Sequence, residues 1–162
     1  MAESTQPKNW TMGTLTITAG SGAAYTVAVE QGNLALSGLT AAQREAILVE
    51  DRGVFSTLIT GKQKYIGVTF TAYLRDLTDA TDVTLVGICL RLGAHVAATS
   101  TLGANRPYTT DFLWTMDGTS QGDSANHTVT LEDVRWEEVT FAEGDINTVT
   151  MTGTSFGALT MT

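Results

Sequence analysis

The segment from Lys64 to Leu74 most constrains the fold, because apolar and polar residues alternate along it. The apolar side chains share one parity, at Ile66, Val68, Phe70, Ala72 and Leu74. Thr69, Thr71 and Tyr73 occupy the other parity. A period of two residues is typical of a β-strand with one buried face. We therefore expect Phe70 to point into a hydrophobic core.

Composition extends this prediction from one strand to the whole chain. Threonine, which is β-branched and suits a pleated surface, occurs 29 times in 162 residues, and glycine occurs 16 times. The chain has the length of one domain. We predict a single, mainly β domain over residues 1–162, with residues 1–10 as a flexible or partner-bound arm.

Other strands follow from shorter alternating runs. The loop 19–22 joins two of them as a hairpin, and Gly61-Lys62-Gln63 is predicted as a turn between 54–60 and 64–74. After Pro107 the alternation returns. Its parity changes twice between Leu131 and Val139, which predicts β-bulges.

Two segments favour a helix. Residues 78–92 form the better candidate, with Thr78 or Asp79 as the N-cap and Gly93 as the stop. The run AAQREAIL within 40–49 is helix-friendly, with a long loop as the alternative.

The net charge of −8 is confined to one part of the chain. Acids and bases balance over residues 1–110, whereas 111–145 contain nine acids against Arg135 alone. Conventional nucleic-acid binding requires clustered Lys and Arg to neutralise phosphates, so the charge distribution argues against this function class. An acidic surface suits DNA only where DNA must pass without sticking.

Catalytic and metal patterns are weak. Ser120 and Ser155 each occupy a G-x-S-x-G match, but neither has the strand-then-helix setting of a nucleophile elbow. Cys89 lies in an apolar run and is interpreted as a packed side chain. With His95 and His127 as the two histidines, we predict no enzyme activity, no metal and no cofactor. No signal peptide or membrane-spanning segment is visible, so we expect no membrane anchoring.

Short motifs in a particular order resemble the tail tube (major tail) proteins of long-tailed bacteriophages. The first half carries Glu30-x-Gly32-Asn33-Leu34, Asp51-Arg52-Gly53 and Val68-Thr69-Phe70. The second half carries Thr130–Val134, Glu137–Phe141, Glu143–Thr148 and Gly153–Gly157.

This resemblance implies a β-sandwich-like or barrel-like protomer with one flanking helix. Six protomers would form a ring in which their inner sheets join into a continuous β-barrel, and rings would stack into a tube. The implied partners are other copies of the chain, a tape measure protein in the lumen, double-stranded DNA passing without specific binding, and a sheath protein if the tail is contractile. The implied location is the virion tail, assembled in the host cytoplasm.

Two sets of residues are candidates for function within such a tube. We hypothesise that acids of the charged segment line the lumen, namely Glu132, Asp133, Glu137, Glu138 and Glu143. The resemblance places a ring-stacking loop within 38–64, whose charged residues are nearly balanced: Arg44, Glu45, Glu50, Asp51, Arg52, Lys62 and Lys64.

Other functions stay open from the sequence. One is the tube of a tailocin or a type VI-like secretion particle. Another is a capsid decoration or head–tail joining protein, which would also be β-rich. An esterase built on Ser120 is the weakest alternative.

Overall fold

The computed structural model describes residues 13–27, 34–39, 44–49, 57–75 and 80–162. The predicted N-terminal arm lies outside this part of the chain. The strands of the described part are β1 Gly13–Ala19, β2 Ala24–Val27, β3 Ala35–Ser37, β4 Arg44–Val49, β5 Thr57–Gln63, β6 Ile66–Tyr73, β7 Thr110–Met116, β8 His127–Ala142, β9 Thr148–Ser155 and β10 Leu159–Met161. One α-helix, α1, spans Leu85–Leu90.

Eight strands form one antiparallel sheet, in the order β2-β1-β7-β8-β9-β6-β3, with β10 paired to β8. β4 and β5 form a separate two-stranded sheet. Burial alternates along the central strands, so that β6, β7 and β9 each present one buried and one half-exposed face. The prediction of a mainly β fold is confirmed.

Three aromatic side chains show that the large sheet folds over on itself. Phe112 on β7 and Phe70 on β6 are separated by three strand spacings, about 14 Å in a flat sheet. Their ring centroids are nevertheless 6.2 Å apart. Trp136 on β8 lies against both rings, with centroids 5.5 Å from Phe70 and 6.4 Å from Phe112. The core therefore lies between two halves of one sheet, as an open sandwich rather than a closed barrel.

The long strand β8 connects the two halves and bends at two bulges. Its register against β7 shifts between Leu131 and Val134, where Asp133 has a positive φ of 55°. Its register against β9 shifts between Trp136 and Glu138. Each bulge adds one residue and increases local twist. The two parity changes in the sequence predicted both.

We name the two halves by their strands. The five-stranded half contains β2, β1, β7, the first part of β8 (127–134) and β10. The four-stranded half contains the second part of β8 (134–142), β9, β6 and β3. Helix α1 packs beside β1, β2 and β8 and contributes buried apolar side chains to the same core.

The helix is shorter than predicted. It begins after Thr84, whose hydroxyl accepts a hydrogen bond from the Gly87 N–H at 3.1 Å. Thr78 and Asp79, the predicted caps, lie outside the described residues. The helix ends at Arg91, which has a left-handed φ of 59°, before the predicted stop at Gly93. Residues 80–83 are exposed, so only the buried residues from Leu85 onward are held as a helix by packing.

Two expectations for residues 40–64 were wrong. The described part of the AAQREAIL run is strand β4, because Ile47 and Leu48 pair with Ile59 and Leu58 across the hairpin. This pairing overrides the local helix preference. The predicted turn Gly61-Lys62-Gln63 lies within β5. Gly61 instead marks a register shift, and a Cβ there would lie 2.8 Å from the Ile47 side chain.

Replacing Phe70 with Ala is expected to destabilise the protomer, because Phe70 is fully buried against two aromatic rings. The loss should be about 3–5 kcal/mol, as for other buried Phe→Ala changes. Chemical denaturation measures it, with Thr69→Ala on the opposite face as the control. Equal stability of the two variants would show that the strand register is wrong.

Candidate functional site

The outward face of the four-stranded half is covered by threonine, and we call it the threonine face. On β6 and β9 the residues whose side chains point to this face are half-exposed, while the residues that alternate with them are buried. Hydroxyl groups meet across the strands: Thr71 and Thr150 are 2.9 Å apart, and Thr69 donates to Thr152 at 3.5 Å. The threonines of this face are Thr69, Thr71, Thr140, Thr148, Thr150, Thr152 and Thr154.

Both edges of the four-stranded half are open within the described part of the chain. β3 pairs with β6 on one side, and no described strand pairs with its other side. Along β8, residues 136–142 pair with β9, whereas β7 pairs no further along β8 than Val134. Unpaired edges present free N–H and C=O groups that another strand can bind. This half of the sheet can therefore be extended at both sides.

Two of the five predicted lumen acids lie on the threonine face. Glu137 accepts a hydrogen bond from the Thr154 hydroxyl at 3.2 Å. Glu138 lies opposite Thr152, and Arg135 lies opposite Thr154. The charged part of this face is thus a small group at the second bulge, beside a neutral hydroxyl surface.

The other three acids lie elsewhere. Glu132 and Asp133 occupy the first bulge, and Glu143 lies in the turn between β8 and β9. The Asp133 N–H donates to Asp111 Oδ1 at 3.1 Å, and the Thr101 hydroxyl donates to Asp133 at 2.7 Å. The structure therefore does not gather the five acids into one site.

The hairpin β4–β5 projects with apolar side chains on both faces, and we call it the projecting hairpin. Leu48 pairs with Leu58, and these side chains are 57% and 69% exposed. Ile47 pairs with Ile59 on the other face, and both are also exposed. An isolated two-stranded hairpin is marginally stable in water, so these side chains need a covering surface. Sequence reasoning selected this region for its charges and missed its apolar faces.

The predicted stacking residues divide along this hairpin. Arg44 pairs with Gln63 at the base, where Glu45 and Lys62 also lie, and Lys64 follows β5 directly. Glu50, Asp51 and Arg52 lie outside the described residues. The described charges are therefore at the hairpin base, while its middle is apolar.

The catalytic patterns have structural roles. The Ser120 hydroxyl donates to Asp117, while His127 pairs with Asp123 at 3.0 Å. The buried Ser155 hydroxyl donates to the Glu132 carbonyl at 2.8 Å.

Gly153, in the G-x-S-x-G match around Ser155, and Cys89 also have structural roles. A Cβ at Gly153 would lie 2.9 Å from the Trp136 ring. This glycine therefore leaves room for the aromatic cluster. Cys89 is buried, and burial raises the pKa of its thiol well above the ordinary value, so the thiol stays neutral.

Among the described residues, no group of three or more His, Cys, Asp or Glu side chains is placed to hold a metal ion. None of the helices in that part of the chain has the length and apolar character needed to cross a membrane.

Solved structures share this fold. One chain from the sheath–tube complex of an extracellular contractile injection system in its extended state aligns with a TM-score of 0.61 and 11% identity, covering 98% of this chain and 93% of that chain. A chain from the tube-terminating cap of the anti-feeding prophage aligns with a TM-score of 0.60 and 10% identity, covering 100% and 95%.

A third similar chain comes from the sheath/tube terminator of an extracellular contractile injection system. It aligns with a TM-score of 0.57 and 12% identity, covering 91% of this chain and 92% of that chain. No protein-family model and no curated protein matches the chain. At these identities the comparisons show a shared fold.

Asp111 allows a pH test of the first bulge. Burial raises the pKa of Asp111, and the carboxylates of Asp133 and Glu132 raise it further, against the lowering by the Asp133 N–H. A carboxyl group whose pKa is higher in the folded state destabilises that state when charged. This destabilisation is complete at pH values above the pKa of the folded state, and it disappears at pH values below the pKa of the unfolded state.

We therefore expect Asp111→Asn to raise the thermal midpoint at pH 7 and to have little effect near pH 3, which is below the ordinary carboxyl range (about 3.9 for Asp). Asn keeps an oxygen that can accept from the Asp133 N–H. Asp117 is the control, because hydrogen bonds from Ser120 and Thr119 lower its pKa. Asp117→Asn should lower the midpoint at pH 7, and a fall in both variants would contradict this account.

Proposed function

We propose that the protein is a structural subunit of a tube in a phage-tail-like particle. The observation that carries this proposal is the four-stranded half, which combines two open edges with a polar outward face. Pairing β3 of one copy with the second part of β8 of the next would extend the sheet from subunit to subunit. Closure into a ring would leave no edge exposed.

The number of strands supports a hollow ring. Six copies, as the tail tube resemblance implies, would contribute about 24 strands, more than the 16–18 of porins, which already enclose an aqueous channel. In this arrangement the threonine face lines the lumen. Helix α1 and the five-stranded half lie behind the core, on the outside of the ring.

The projecting hairpin fits the role of the stacking element. It extends from the same half of the sheet, between β3 and β6, and its apolar faces have no cover from the described part of its own chain. A second ring is the surface that would bury Leu48 and Leu58. Such a contact is more apolar than the charge-balanced loop that the sequence predicted.

The comparisons support a wider assembly around the tube. Likeness to chains from sheath–tube complexes favours a contractile particle, with a sheath protein around the tube. A phage tail would hold a tape measure protein before ejection and then conduct double-stranded DNA, and the particle would assemble in the host cytoplasm. An injection particle would use the same lumen for another cargo.

A terminating ring is the second candidate function, because similar chains also come from a tube terminator and a tube cap. A terminator closes one end of a tube and does not polymerise. A capsid decoration protein is less favoured, since the similar chains described above come from a sheath–tube complex, a tube terminator and a tube cap.

Negative-stain electron microscopy of the purified protein at increasing concentration tests the proposal. We expect sixfold rings and long tubes, whereas rings that never stack would indicate the terminator. The double variant Leu48→Ser with Leu58→Ser should form rings without tubes, because it removes the apolar stacking contact. Its thermal midpoint should change little, since both side chains are exposed.

Met161→Ser is the matched control, because Met161 is 63% exposed but lies on β10 in the other half of the sheet. It should form normal tubes. Normal tubes from the hairpin variant would contradict only the stacking role of the projecting hairpin. A wild-type protein that stays monomeric at every concentration would contradict the tube itself.

The lumen assignment has its own test. Glu137→Lys and Glu138→Lys would place cations on the threonine face, so assembled tubes should bind short duplex DNA at low salt and release it as salt rises. Glu132→Lys makes the same charge change at the first bulge and should not retain DNA. Co-sedimentation measures binding, and equal retention by all three variants would place the threonine face outside the lumen.

A further inference from the structure

A basic cleft lies between the end of α1 and the loop before β7. Its volume is about 190 Å³, and Arg91 and Arg106 both line it. The Arg91 guanidinium lies 5.9 Å from the centre of the Tyr108 ring, within the range of a cation–π contact. Tyr108 is fixed in turn, because its hydroxyl donates to the Ile88 carbonyl at 2.7 Å. Burial raises the pKa of Tyr108 to about 12, so it remains a neutral platform for Arg91.

The guanidinium groups are the charged donors that this cleft offers to a ligand. Ser100 also lines the cleft, but its hydroxyl already donates a hydrogen bond to the Pro107 carbonyl at 2.7 Å. Neither Arg91 nor Arg106 is paired with a carboxylate in the described part of the chain, where the one ion pair is His127 with Asp123. Two unpaired arginines in one concave site are suited to carboxylates.

An acidic turn lies at the end of the four-stranded half where β8 leads into β9. Glu143 and Asp145 are exposed in the turn between β8 and β9, and the chain has no Lys or Arg after Arg135. Asn147 Oδ1 accepts from the Gly144 N–H at 3.4 Å and holds the turn together. Ile146 in this turn is 62% exposed. The turn therefore presents two exposed carboxylates and one exposed apolar side chain.

Strand pairing fixes the separation of the turn from the cleft. β9 starts at Thr148, directly after the turn, and its eight residues end at Ser155. Ser155 lies opposite Val134, and Val134 lies opposite Thr110, the first residue of β7. The cleft loop runs directly into Thr110. Eight strand residues span roughly 25 Å, so turn and cleft face opposite ends of the protomer.

We propose that the acidic turn of one copy binds the Arg91–Arg106 cleft of a copy in the next ring. Glu143 and Asp145 would supply the carboxylates, and Ile146 would lie near Leu92, which follows Arg91 and is exposed. This contact joins two different surfaces of the same chain, so it repeats without closing and generates a stack. The inference rests on the proposed tube and adds a polar contact to that of the projecting hairpin.

Two reversed proteins test this contact. The first carries Arg91→Glu and Arg106→Glu, and the second carries Glu143→Arg and Asp145→Arg. Each alone places like charges at every ring–ring contact, so we expect rings and a loss of long tubes. When the two proteins are preformed as rings and mixed, alternating rings make complementary contacts throughout. Long tubes should then return.

Glu132→Lys is the control, because it reverses an exposed charge at the first bulge, away from the open edges and from the acidic turn, and should leave tubes intact. All four reversed side chains lie at the surface, and thermal midpoints verify that each protein folds. Long tubes from either reversed protein alone, or no recovery on mixing, would overturn the inference while wild-type tubes still support the proposed function. Absence of rings and tubes from the wild type would overturn both.

Discussion

The contact among Phe70, Phe112 and Trp136 determines the shape of the protomer. These rings come from strands that a flat sheet would keep apart, and they meet only because β8 bends at its two bulges. The Trp136 indole N–H is satisfied by the buried Thr110 hydroxyl at 2.9 Å, so the largest side chain of the cluster is buried without an unpaired donor. Gly153 provides the space beneath it. The fold-over thus depends on bulge geometry and aromatic packing together.

Folding the sheet in this way has a consequence for its edges. The bend carries β7 away from the second part of β8, so residues 136–142 lose the neighbour that the first part has. A chain that buried its core by closing a barrel would have no such edge. Here the same bulges that create the core also leave the second part of β8 with an edge that β7 does not pair.

The sequence carried this information unevenly. Burial parity along β6 and the bulges in β8 were predictable, because alternation records which side chains face the core. Strand β4 was not, because its helix-friendly residues form a strand only by pairing with Leu58 and Ile59. The helix start was misplaced, because capping residues recur in the sequence from Thr78 to Thr84, and the helix begins after Thr84, directly before the buried Leu85 and Val86.

The candidate site was predicted less well than the fold. Charge counting located the acidic segment, but a count along the chain cannot show that Glu137 and Glu138 share a face while Glu143 lies at a remote turn. Pairing register decides this, and it changes by one residue at each bulge.

Three features of the described surface accord with the proposed tube. Within the described residues, the protomer exposes leucines on a two-stranded hairpin, leaves strand edges unpaired and pairs neither Arg91 nor Arg106 with a carboxylate, although the net charge of the chain is −8. In the proposed tube, the next ring would cover the apolar hairpin and strands of neighbouring copies would pair at the open edges. Glu143 and Asp145 of another copy would bind the two arginines. One repeating assembly would therefore satisfy all three features, because every copy would supply what its neighbour lacks.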